Sequence, residues 1–171
     1  MTDNDILVTY ASRYGSTAEI GHKIGEVLAS AGLRVDVSEV KDVPNLKQYR
    51  AVILGSAVYI GKWRKDAIRF LKIFEKDLTE RKIWIFSTGP TGKGDPEKLL
   101  DGWSFPPSLK PLAERIDPED ITVFHGALNM DKLNSVHRFM INKIKAPVGD
   151  YRDWEQVTNW AKDIASKLKR R

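Results

Sequence analysis

The amino-acid sequence predicts a doubly wound α/β domain, and three observations carry that prediction. Five short apolar runs rich in β-branched residues (Ile6–Tyr10, Val35–Val40, Ala51–Ser56, Lys82–Thr88 and Ile121–Ala127) alternate with stretches of helical periodicity. The run Ala51-Val52-Ile53-Leu54 has no polar interruption, which suits a strand covered on both faces in a parallel sheet. Small and hydroxyl residues gather just after the first, third and fourth runs, where an open parallel sheet binds its ligands.

The helices follow in order. Thr17 to Ala31 buries Ile20, Ile24, Val27 and Leu28 and stops at Gly32, with Gly21 and Gly25 allowing close approach to the sheet. Ser16 followed three residues later by Glu19 reads as a capping box at its start. Pro44 to Tyr49 leaves room for one turn only. Arg64 to Leu78 carries Ala67, Leu71, Phe74 and Leu78 at helical spacing. Gly89 to Pro118 is rich in Gly and Pro and reads as loop with a short helix at Leu109–Ile116. The last helix starts near Asp153 and buries Trp154, Val157, Ala161, Ile164, Ala165 and Leu168.

At 171 residues the chain is expected to be a single domain, residues 1–171, with 42% hydrophobic and 30% charged residues placing it among soluble globular proteins. No apolar run reaches membrane-spanning length, and the acidic start Met1-Thr2-Asp3-Asn4-Asp5 is unlike a signal peptide. With no cysteine, disulfides and iron–sulfur ligation are excluded and a cytoplasmic location is expected. Three scattered histidines, His22, His125 and His137, make a protein-ligated zinc site improbable. Redox chemistry would therefore need an organic cofactor.

The net charge of +5 is uneven: Lys132 to Arg171 holds 10 Lys+Arg against 4 Asp+Glu. Within it, Lys132–Lys145 places Leu133, Val136, Met140, Ile141 and Ile144 on one apolar face flanked by Lys132, Arg138, Lys143 and Lys145. Such a helix either caps the sheet edge or touches a membrane, quinone or partner. Together with the basic C-terminus it leaves open a peripheral contact at the inner face of a membrane. No nucleic-acid-binding motif is present.

The first loop, Ser12-Arg13-Tyr14-Gly15-Ser16-Thr17, aims backbone N–H groups, three hydroxyls and a helix N-terminus at one point, which suits a phosphate. It lacks the Lys of a P-loop and the spacing of a dinucleotide fingerprint. The loop after the third strand (Ala57, Val58, Tyr59, Ile60, Gly61, Lys62, Trp63) offers small residues and two aromatics able to cover a planar ring. The loop after the fourth supplies Thr88, Gly89, Pro90, Thr91 and Gly92. A phosphate cradle beside two such loops describes a phosphorylated flat heterocycle.

The stretches Tyr10-Ala11-Ser12-Arg13-Tyr14-Gly15-Ser16-Thr17 and Gly55-Ser56-Ala57-Val58-Tyr59-Ile60-Gly61 resemble the flavodoxin-domain family. Phe124-His125-Gly126-Ala127-Leu128, Arg138-Phe139-Met140-Ile141 and Asp153-Trp154-Glu155-Gln156-Val157 resemble its menaquinone-dependent protoporphyrinogen IX dehydrogenase-like branch. Thr9 and Gly21 depart from the family's usual apolar and Ala positions, and the segment Asn129 to Asp150 is shorter and less aromatic than in the haem-pathway enzymes. The resemblance implies a flavodoxin-like five-stranded sheet of order 2-1-3-4-5 and FMN as cofactor. It places Ala57 to Trp63 on one side of the isoalloxazine and Thr88 to Gly92 on the other, with the flavin itself carrying the electrons through its N5 region. No metal and no side-chain acid or base is implied. His125 and His137 read as structural.

Three function classes follow. The first is an FMN-dependent oxidoreductase of the protoporphyrinogen type, linked to a quinone and to porphyrin biosynthesis. The second is a flavodoxin-like electron-transfer protein whose partner is another redox protein, and the third a flavin-free α/β interaction module. Neither the electron donor and acceptor nor the oligomeric state can be read from these residues.

Overall fold

The computed structural model describes residues 5–170. Strands β1 (Asp5–Ala11), β2 (Arg34–Glu39), β3 (Tyr49–Tyr59), β5 (Lys82–Thr88) and β6 (Asp120–Phe124) form a parallel sheet in the order β2-β1-β3-β5-β6. Counting these five strands alone, that is the expected order 2-1-3-4-5. A two-residue strand, β4 (Lys62–Trp63), turns back antiparallel onto the end of β3. The chain therefore runs from β1 outward to β2, then crosses β1 to reach β3. The topological switch point lies between β1 and β3.

Residues alternate between the two faces of the sheet, as the period of an extended chain requires. Ile6, Val8, Ala51, Ile53, Trp84, Phe86 and Phe124 face one way and pack on α1 (Ser16–Ser30) and α7 (Trp154–Lys169). Leu7, Val52, Leu54, Ile83 and Ile85 face the other and pack on α2 (Lys65–Ile73), α3 (Glu75–Thr79) and α5 (Lys110–Ile116). Both layers need to lie close. A Cβ on Gly25 would sit 2.5 Å from Val37 Cγ2, and one on Gly55 2.0 Å from Phe86 Cζ, so each glycine makes room for a neighbouring side chain.

Several boundaries differ from the sequence reading. The helix expected over Arg64–Leu78 is broken at Phe74 (φ −100°, ψ 12°) into α2 and α3, and Phe70 shares the buried face. The turn expected at Pro44–Tyr49 is present, with the Tyr49 N–H donating to Leu46 O at 3.0 Å and Leu46 buried in the core, and a 3₁₀ turn at Val40–Asp42 precedes it. The first helix begins at Ser16, not after it: Gly15 is its cap residue at φ 92°, and no side chain closes a capping box. Glu19 instead pairs with Arg152. Trp154 is not buried; its ring lies 4.8 Å from the Arg152 guanidinium.

Strand β6 ends at Phe124, earlier than the run Ile121–Ala127 suggests. At Gly126 the chain presses against Gly89, where a Cβ would fall 2.7 Å from the Gly89 Cα, and its N–H donates to Pro90 O at 3.0 Å. Ala127–Leu128 (β7) then pairs antiparallel with Gly149–Asp150 (β8), closing the 129–148 segment into an excursion over the strand ends. A short α4 (Pro96–Leu99) lies in the long loop after β5, and α6 (Ser135–Ile144) in the excursion.

Candidate functional site

A cavity of about 270 Å³ opens at the carboxyl ends of β1, β3 and β5, at the switch point of the sheet. The three loops singled out in the sequence converge on it. Ser12, Arg13, Tyr14, Ser16 and Thr17 come from the first, Ala57, Val58, Tyr59, Ile60 and Gly61 from the second, and Thr88, Gly89, Pro90 and Thr91 from the third. Three expected residues stand outside the lining. Gly15 shapes the first loop, donating its N–H to Ser12 Oγ at 3.1 Å. Gly92 backs onto Pro147.

Trp63 requires the larger correction. It is buried, its indole N–H donates to Ser87 Oγ at 2.8 Å, and its ring meets Phe105 edge-on at 5.1 Å. The β3–β4 hairpin causes this. Register Val58↔Trp63 turns the indole down beside the sheet and away from the cavity. A two-residue hairpin loop of type I′ puts both residues in the left-handed region, as Ile60 (φ 49°) and Gly61 (φ 69°) are here. For a β-branched residue that conformation is costly. Replacing Ile60 with Gly should accordingly stabilise the fold by about 1 kcal/mol in a denaturant melt; an unchanged or lower midpoint would count against strain at this tip.

At the inner end, Thr17 and Thr88 Oγ1 atoms lie 2.6 Å apart, both buried, joining the start of α1 to the end of β5. The N-terminal turn of α1 is here, with the positive end of its dipole and N–H groups free of intrahelical partners. Among the described residues no Asp or Glu lines the cavity, and the charged lining residues are Arg13 and Arg64. The chemistry suits an anion.

At the outer end sits a group that the sequence reading did not bring together. The Tyr14 hydroxyl is hydrogen-bonded to His137 Nδ1, and the His137 ring lies 4.7 Å from that of Tyr59. Desolvation, then the charges of Arg13 and Arg64, push the His137 pKa below its ordinary value. Burial, then the nearby Tyr14, push the Tyr59 phenol up. His125 is held down by burial. His137 therefore has a place at the cavity mouth that its position on an apolar helix could not reveal.

Helix α6 also contributes Ile141 and Ile144 to the lining, β7 contributes Ala127 and Leu128, and the α4 turn contributes Leu99 and Leu100. The apolar face expected over Lys132–Lys145 divides in two. Leu133 and Ile141 are buried, while Val136 and Phe139 stand 65% and 68% exposed and Ile144 is exposed as well. The excursion is fastened by Arg152, whose guanidinium donates to Glu19, at the start of α1, and to Asp150 Oδ2 at 2.7 Å. That pairing holds the Asp150 carboxyl below its usual range. The basic C-terminal residues are elsewhere: Arg50, at the start of β3, donates to Leu168 O at 3.2 Å, so α7 ends at the opposite end of the sheet from the cavity. The two basic regions do not form one surface around the cavity.

A parallel sheet of order 2-1-3-4-5 with its cavity at the β1/β3 switch point defines a flavodoxin-type α/β protein. The chain belongs to the flavodoxin domain family, whose model matches residues 7–154. Among curated relatives, it is 26% identical over 170 residues to the protoporphyrinogen IX dehydrogenase [quinone] of Escherichia coli (strain K12), covering 93% of each chain. It is also 26% identical to the protein of the same name from Leishmania major, over 94% of this chain and 74% of that one. Among solved structures, an oxidised flavodoxin 2 from Bacillus cereus superposes with a TM-score of 0.60 at 22% identity, covering 95% of this chain and 99% of that one. The rubredoxin oxygen:oxidoreductase of Desulfovibrio gigas gives 0.64 at 16% identity, with 97% of this chain spanning 36% of that protein. These structural likenesses show the fold.

Proposed function

We propose that this protein is an FMN-dependent oxidoreductase that takes electrons from a protoporphyrinogen-type substrate and passes them to a quinone. The observation that carries the reading is the cavity itself. It lies at the switch point where doubly wound sheets bind ligands, and it has an anion-suited inner end and an outer end lined by aromatic and aliphatic side chains. The names of the E. coli and L. major relatives support the choice of reaction.

The residues present fit the cofactor. Ser12, Ser16, Thr17 and the N-terminal turn of α1 would hold the phosphate through hydroxyl and backbone N–H donors. Ala57 to Gly61 and Thr88 to Thr91 would flank the ring, with Tyr59 the aromatic available to cover it. FMN, when bound, supplies the exchange of electrons. The protein's own part is to bind and orient the ring, to line the cavity with the apolar side chains of Leu100 and Ile141, and to place His137, whose pKa desolvation holds below its ordinary value, beside Tyr14 at the mouth.

The quinone gives α6 its role. Val136, Phe139 and Ile144 are exposed next to the mouth, with the exposed Lys132, Lys143 and Lys145 nearby. In this reading they contact the anionic membrane surface from which an apolar quinone arrives. No helix among the described residues is long and apolar enough to cross a membrane.

The test starts with FMN titration of the purified protein, followed by anaerobic turnover of protoporphyrinogen IX with a menaquinone analogue in detergent or in phosphatidylglycerol vesicles. Stoichiometric FMN binding and turnover that rises on the vesicles are expected. A protein that takes up no FMN would sink the whole reading. FMN binding without turnover, with a long-lived one-electron reduced state, would favour an electron carrier instead.

A further inference from the structure

We propose that Arg13 and Arg64 form an anion subsite at the outer end of the cavity, one that receives a carboxylate of a ring-containing substrate; the assignment rests on the flavin reading for the inner end. Four arginines elsewhere in the fold are held by carboxylates. Arg34 holds Asp5, Arg81 holds Asp77, Arg115 holds Glu75, and Arg152 holds both Glu19 and Asp150. Arg13 and Arg64 hold no carboxylate among the described residues, yet both line the cavity, and no acidic residue shares that lining. Arg64 Nε is buried without a hydrogen-bond partner. A buried guanidinium N–H left unpaired is costly, and an anion in the cavity that Arg64 lines would supply the acceptor.

Local structure fixes both arginines. The Arg64 backbone N–H donates to Ser56 Oγ at 3.1 Å, and α2 starts at the next residue. The Arg13 guanidinium lies 5.6 Å from the centre of the Tyr14 ring. Tyr14, Tyr59 and His137 complete the group with aromatic surface, so charge and flat apolar contact come together at one opening. The anion could be the cofactor's phosphate or a substrate carboxylate. The inner end already has three hydroxyls and a helix N-terminus for a phosphate, whereas Arg64 follows the Ala57–Trp63 hairpin, which leaves it for the substrate.

The experiment uses FMN-saturated protein and two probes sharing one ring system, anthraquinone-2-carboxylate and neutral 2-(hydroxymethyl)anthraquinone, with binding read by calorimetry. The wild type should bind the carboxylate about tenfold more tightly, the worth of one charge-assisted hydrogen bond. That preference should shrink in 0.5 M salt. Arg64→Gln and Arg13→Gln should each reduce it while leaving the neutral probe's affinity unchanged, and Arg64→Lys should restore part of it. Equal affinity for both probes in the wild type overturns the subsite. So does an Arg64→Gln variant that loses affinity for FMN but not for riboflavin, because the arginine then serves the phosphate. If the wild type binds no FMN, the flavin reading fails by itself, and the same probe preference is read on the flavin-free protein.

Discussion

Gly89→Ala is expected to destabilise the protein by about 3 kcal/mol and, in the proposed reading, to abolish tight FMN binding. Two independent costs add at this position. Its φ of 139° lies where L side chains are strained, and a Cβ would stand 2.4 Å from Val58 O, a backbone atom that cannot step aside without moving the end of β3. Gly126 is packed against Gly89 from the other side, so the segment cannot retreat toward β6 either. Two other glycines separate the costs. Gly15→Ala meets nothing within 4 Å and should show the conformational penalty alone, about 1–2 kcal/mol. Gly92→Ala meets only Pro147 Cγ at 3.2 Å, a side-chain atom, and should fall between the two. For a chain of this size the Gly89 variant should melt about 6–12 °C lower. A melting temperature for Gly89→Ala no lower than that of Gly15→Ala would show that the β3–β5 approach is not a tight one.

This close approach also explains what the sequence could and could not tell. The five strands were legible because a strand buried on both faces has to be apolar along its length, and Ala51-Val52-Ile53-Leu54 leaves no other reading. The loops at the strand ends were legible for a related reason, since only small residues and hydroxyls let backbone approach a ligand or another strand. Positions set by partners distant in sequence were not. Trp63 reads as an exposed aromatic able to cover a ring, until the β3–β4 hairpin pairs it with Val58 and buries its N–H against Ser87. His137 reads as a residue on an apolar helix, until the 129–148 excursion brings it to Tyr14, 123 positions earlier. Glu19 reads as the closing residue of a capping box, until Arg152 claims its carboxylate.

The same distinction separates the two ends of the cavity. Its inner end is built from contiguous residues of one loop and one helix start, so it is a local property of the chain. Its outer end is assembled from α6, the β3–β4 hairpin, the α4 turn and the first loop. Each of those segments lies outside the parallel strands, so its length is not fixed by the sheet. A chain that keeps the sheet and the inner end can therefore change what its outer end accepts by altering the excursion alone.

Thr17 and Thr88 offer the second large effect, and it takes three variants to read. Their hydroxyl oxygens are 2.6 Å apart, and Thr17 and Thr88 are 1% and 0% exposed. One hydroxyl donates to the other; the acceptor keeps its own proton, and both residues line the cavity. Thr17→Val leaves Thr88 Oγ1 buried without its partner, as Thr88→Val does for Thr17, and each should cost about 1–3 kcal/mol in a denaturant melt. Replacing both removes donor and acceptor together, so the double variant should recover most of that loss, with the coupling appearing as non-additivity in the cycle. Affinity for FMN should behave in the opposite way. The free proton of the pair is the donor facing the phosphate in the proposed reading, so the stable double variant should bind FMN at least about tenfold more weakly. Stability restored with affinity still lost would separate the structural role of the pair from its binding role. A double variant that binds FMN as tightly as the wild type would instead remove Thr17 from the phosphate site and leave the anion to Ser12, Ser16 and the α1 backbone.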